Sequence, residues 1–130
     1  MLGRRHAIVL SGHLHKYSIL DRATPAGQFT QLAVCSVVRA DHAPAREERT
    51  GLDAYSPALL DLEPKFEPAT RAARQRMLED EHPSIRRFEY ADLPGFAVVD
   101  VYEKQVACRV FGGLDETPYR APSLTAAAHA

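Results

Sequence analysis

An apolar run, Ile8-Val9-Leu10, stops abruptly on Ser11-Gly12-His13-Leu14-His15. No other stretch constrains the fold as tightly. A short continuous apolar segment ending in a glycine turn reads as a strand buried on both faces, opening into a loop at a sheet's carboxyl edge. Ligands commonly sit at that edge. Gly12 lets the backbone turn sharply and approach an ion closely, and two neutral imidazoles two residues apart suit Mn, Fe or Zn-type ions. His13 and His15 are therefore the candidate metal ligands, with Gly12 as the motif backbone.

The remaining segments supply a single domain around that strand. The chain has 130 residues, 45% of them apolar and 25% charged, which is the balance of an ordinary globular domain. Lys16 to Ala23 and Gln28 to Val38 flank Thr24-Pro25-Ala26-Gly27, where Pro25 presets its φ and Gly27 accepts a positive one. This predicts a β-hairpin. Residues 39–57 carry charges and prolines without periodicity and read as a surface loop or insertion. From Glu67, Ala69, Ala72, Ala73 and Met77 recur at helical spacing, with Arg71, Arg74, Arg76 and Glu79 opposite and Pro83 ending the run. Ser84 to Tyr90 reads as a further turn or two, with Ile85 and Phe88 inward. Phe96 to Glu103 and Val106 to Phe111 form a second hairpin rich in valine. Residues 117–130 lack a periodic pattern and read as a flexible tail.

The composition also excludes whole function classes. A net charge of −1 gives no reason to expect a polyanion or a membrane surface as partner. No apolar run approaches the length of a membrane span and no leader is visible. The two cysteines, Cys35 and Cys108, read as buried free thiols of a reducing cytoplasm. Arg71, Arg74, Arg76, Arg86 and Arg87 suggest a basic stripe, but Glu79, Asp80, Glu81 and Glu89 are interleaved with them. A solvated face is the better reading, so no nucleic-acid partner is expected. His6, His42 and His82 read as solvated or structural.

Residues 6–38 as a whole resemble the calcineurin-like metallophosphoesterase superfamily. Its last metal motif is Gly-His-x-His after an apolar strand, followed by a strand, a glycine-containing turn and a second apolar strand. Gly12-His13-Leu14-His15, the hairpin with Gly27, and Ser36-Val37 match that layout in order. Gly95 to Val101 is similar to the strand that commonly ends such domains. The resemblance implies an α+β fold, a partial metallophosphoesterase-type β-sandwich flanked by helix: two β-hairpins, the motif strand and one main helix, spanning 1–116. It also implies hydrolysis of a phosphate mono- or diester at a binuclear centre of divalent ions about 3.5–4 Å apart, which polarise the phosphoryl oxygens and hold a hydroxide. His13 would ligate one ion and His15 the other.

The family's earlier motifs, Asp-x-His, Gly-Asp-x-x-Asp, Gly-Asn-His and a lone histidine, all precede Gly-His-x-His, and only residues 1–7 stand before this strand. Asp41, Glu47, Glu48 and Asp53 follow it without ligand spacing. The resemblance is thus to the C-terminal portion, with two ligands too few for even one four-coordinate ion. No catalytic residue is assigned, and a chain lacking part of the sheet should self-associate or need a missing N-terminal segment. Tyr17 and Ser18, directly after the motif, would lie near a substrate in a complete enzyme. The alternative is a non-catalytic structural or interaction domain that retains the fold.

Overall fold

The computed structural model describes residues 6–12, 15–37, 44–56 and 70–124. They form a small α+β fold of seven strands and one α-helix. The strands are β1 (Ile8–Ser11), β2 (Tyr17–Thr24), β3 (Gly27–Ala33), β4 (Glu48–Thr50), β5 (Ile85–Ala91), β6 (Gly95–Val101) and β7 (Val106–Gly112), and the helix is α1 (Arg71–Glu81). A five-stranded sheet runs in the order β1-β3-β2-β5-β4, while β6 and β7 pair separately. Only the β1–β3 pair is parallel.

Both hairpins form where turn chemistry placed them. Thr24 Oγ1 donates to the Gly27 carbonyl at 2.8 Å, and Gly27 takes φ 125°. The second hairpin needs its glycine for a different reason. A Cβ on Gly95 would stand 1.8 Å from the Phe111 carbonyl oxygen, so only glycine lets β6 come this close to β7. Phe96 and Phe111 stack beside it with centroids 4.8 Å apart.

Period-two alternation gives the large sheet two apolar faces. Tyr17, Ile19 and Leu32 turn toward the β6–β7 hairpin and bury with Cys35, Leu93, Cys108, Val110 and Leu124. Phe88 and Ile85 turn the other way, against Tyr55 and Leu78, with Leu20 and Tyr90 packed alongside. Pairing shifts between Asp21↔Arg87 and Arg22↔Ile85, so β5 carries one extra residue. That bulge keeps Ile85 on the same face as Phe88 although they are three positions apart.

Five sequence expectations change. The motif strand is not buried on both faces: β1 is an edge, and Leu10 is 58% exposed. The helical turns expected over residues 84–90 are a strand: after a 3-10 turn at His82–Ser84, Ile85 onward pairs with β2. The loop expected over 39–57 contains edge strand β4 and a 3-10 turn at Leu52–Ala54. Helix α1 buries Arg74 and Leu78, four residues apart on one face, while Met77 is exposed. Finally, the described part of the tail is docked. Ser123 and Arg120 bridge to Ala107 and Val110 of β7, and Leu124 is wholly buried. The start expected for the helix, Glu67 to Ala69, lies outside the described residues, and Thr70 caps α1 by accepting from the Ala73 amide at 3.2 Å.

Candidate functional site

Two histidines bracket β1, and both take left-handed backbone, φ 46° at His6 and φ 57° at His15. Non-glycine residues seldom adopt that conformation. Their imidazoles have different surroundings.

His6 is tied down. Its Nε2 lies 3.2 Å from the Leu124 carbonyl and 3.4 Å from Thr30 Oγ1. Thr30 is itself buried and donates to Asp21 Oδ1 at 2.6 Å. Arg87 closes the network, with Nε 2.8 Å from Asp21 Oδ2 and Nη1 donating to the Ser123 carbonyl at 2.8 Å. The result is a polar clasp that ties His6 and the Ser123–Leu124 segment to the sheet, as expected for a structural histidine.

His15 is exposed, on the connection leaving β1. Its Nδ1 bonds Ser36 Oγ, on the segment following β3. Ser36 is held in turn, because its carbonyl accepts from the Gly95 amide at 3.2 Å. The close approach of β6 and β7 at Gly95 thus fixes the group that orients His15. When Nδ1–H donates to the serine oxygen, the ring's remaining lone pair is on Nε2, facing away from that bond. A hydrogen bond on one ring nitrogen that frees the other is the usual support of a metal-binding histidine. Ser36 enters the sequence reading only as part of the strand layout. Its role emerges from a contact across 21 positions.

His13, the second candidate ligand, lies outside the described residues, and Gly12 is exposed with open space around its Cα. After His15 the chain is anchored at once. Lys16 Nζ donates to Tyr90 Oη at 3.0 Å and sits 3.5 Å from Asp92, and the tyrosine bond holds the ammonium pKa above its ordinary value. Tyr17 Oη donates to Glu89 at 2.8 Å, and burial pushes the phenol pKa well up. Tyr17 therefore serves the core rather than the exposed loop.

The other sequence candidates have other partners. Glu47 pairs with Arg49 at 2.5 Å and Glu48 accepts from Tyr119. His82 Nε2 contacts the Leu52 carbonyl at 3.1 Å. Asp53 and His82 line a cavity of about 280 Å³ with Tyr55, Ser56, Leu78 and Glu79, on the helix side of the sheet. His42 and Asp41 lie outside the described residues. Arginines of the suggested basic stripe do not share a face: Arg74 is buried, Arg87 is paired with Asp21, and Arg86 caps the Pro83 carbonyl at 2.7 Å. Cys35 and Cys108 are buried free thiols. Burial and the neighbouring Cys35 raise the Cys108 thiol to about 11.

Among the described residues, no group of three or more His, Cys, Asp or Glu side chains is placed to hold an ion. His15 has no two further such side chains grouped with it among the described residues, and His13 lies outside them. Among them, too, no helix is long and apolar enough to cross a membrane. No protein-family model, curated protein or solved structure matches this chain.

Proposed function

We propose that this chain is a metallophosphoesterase-like segment whose His13 and His15 contribute to a divalent-metal centre that other groups must complete. The observation that carries the reading is the His15–Ser36 pair. It engages one imidazole of the Gly-His-x-His turn through Nδ1, on a residue that is exposed. The fold is read as the corresponding part of a metallophosphoesterase-type β-sandwich, with the motif at the exit of β1 and the hairpin β2–β3 directly after it. The substrate class of the completed site is a phosphate mono- or diester.

Two imidazoles alone bind a divalent ion weakly and leave no carboxylate to bridge a pair. The chain by itself should therefore bind Zn²⁺ or Mn²⁺ weakly and should not turn over a bis-aryl phosphate. Calorimetric titration with Zn²⁺ tests the ligand assignment. Binding lost in both His13→Ala and His15→Ala supports it, and binding that survives both substitutions refutes it. Turnover of the phosphodiester by the isolated chain with added Mn²⁺ would contradict the incomplete-site reading. A non-catalytic interaction domain is the second reading, favoured by the exposed apolar edge of β1.

A further inference from the structure

The five-stranded sheet ends differently on its two sides. The β4 edge is three residues long, Glu48-Arg49-Thr50, and charged side chains blunt it. The β1 edge is Ile8-Val9-Leu10-Ser11, without a charge, a proline or a bulge. We propose that β1 is a dimerisation edge, and that it pairs antiparallel with β1 of a second copy of this chain about a two-fold axis at Val9.

The register follows from the hydrogen bonds already in use. Thr30 N–H donates to the Ala7 carbonyl and Val34 N–H to the Ser11 carbonyl, at 3.0 and 2.9 Å. With Ile8 aligned to Thr30 and Leu10 to Leu32, the parallel ladder uses the main-chain groups of Val9 and Ser11. The N–H and C=O of Ile8 and of Leu10 therefore point away from the sheet. Among the described residues no strand meets them. Two outward residues separated by one inward residue fit an identical antiparallel edge. Ile8 faces Leu10 of the partner subunit, Leu10 faces Ile8 of the partner subunit, and all four N–H groups find carbonyls.

Side chains argue for the same occupant. Ile8 and Leu10 lie on one face of β1, where Ile8 packs against the core and Leu10 is 58% exposed. In the proposed register each Leu10 gains Ile8 of the partner subunit as its cross-strand neighbour. Val9 meets Val9 of the partner subunit on the opposite face. The pairs made by Ile8, Val9 and Leu10 are all apolar, and no like charges oppose each other. The edge is thus complementary to itself, which is what an isologous two-fold contact requires. The inference does not rest on the metal reading, because neither histidine takes part in it.

Cysteine cross-linking tests both the partner and the register. Residues facing each other in a non-hydrogen-bonded antiparallel pair have Cα atoms about 4.5 Å apart, within disulfide reach. Val9→Cys should form a disulfide-linked dimer under mild oxidation. Ser11→Cys should not, since its symmetry mate lies about 13 Å away along the strand. Cys35 and Cys108 are 5% and 1% exposed, so the new thiol is the accessible one. The unmodified chain should sediment at twice its monomer mass, and Leu10→Lys at the monomer mass with an unchanged circular dichroism spectrum. A Val9→Cys chain that stays monomeric, or a Ser11→Cys chain that cross-links instead, overturns the proposal. So does an unmodified chain that sediments as a monomer at about 100 μM, a concentration that fills a dimer held by roughly 8 kcal/mol.

Discussion

His6 and His15 flank the same strand, share the same rare backbone conformation, and meet different surroundings. At His6 the ring's Nε2 is committed to the Leu124 carbonyl, and the surrounding Thr30, Asp21 and Arg87 leave it no freedom. At His15 only Nδ1 is committed, and the ring is in solvent. Residue type is thus a poor guide to role. What separates the two rings is burial and partner: His6 Nε2 meets the Leu124 carbonyl in a half-buried polar network, whereas His15 is exposed with Nδ1 against Ser36 Oγ, and both partners are remote in sequence.

The contrast can be broken from the His6 side first. Asp21→Ala removes the shared acceptor of Thr30 and Arg87. Leaving that half-buried guanidinium without its carboxylate should cost about 2–3 kcal/mol in urea unfolding, with no change in Zn²⁺ affinity. On the other side, Ser36→Ala should weaken Zn²⁺ binding about 10–100-fold while changing stability by less than about 0.5 kcal/mol. Equal losses in stability from the two substitutions would erase the distinction. His6→Ala is smaller, about 1 kcal/mol in stability for one lost hydrogen bond, and it too should leave metal binding alone.

The smallest effect concerns pH. Cys108 lies in the core beneath the docked C-terminal segment, where its amide donates to the Pro122 carbonyl at 3.2 Å. Its thiol pKa is raised from 9.0 to about 11, first by burial and then by Cys35. The folded state therefore favours the protonated thiol. This contribution is fully present below pH 9 and is lost as pH rises toward about 11. Melting temperature should fall across that window, and Cys108→Val should flatten the fall. A Cys108→Val profile as steep as the parent's would assign the alkaline loss to other groups.

Local chemistry made part of this molecule legible from sequence. Pro25 and Gly27 announced the first hairpin, and the valine-rich runs around Glu103-Lys104-Gln105 announced the second. Long-range pairing was not legible. Nothing local shows that β1 lies parallel to β3 at an edge, that Glu48–Thr50 adds a strand to β5, or that Leu124 returns to the core. The stretch after Pro83 shows the same limit, since Ile85 and Phe88 suit a helix face by spacing. Only pairing with β2 and the bulge make them neighbours on a strand. Ser36 was visible as a residue, but its bond to His15 exists only once β6 and β7 close at Gly95.

The most direct test is the imidazole nitrogen spectrum of the ¹⁵N-labelled chain before and during a Zn²⁺ titration. The metal-free His15 should show the Nδ1–H tautomer, with its Nε2 resonance moving on titration and the His6 resonances staying in place. A His15 that carries its proton on Nε2, or a His6 that moves as much as His15, would contradict the division of roles on which the proposed function rests.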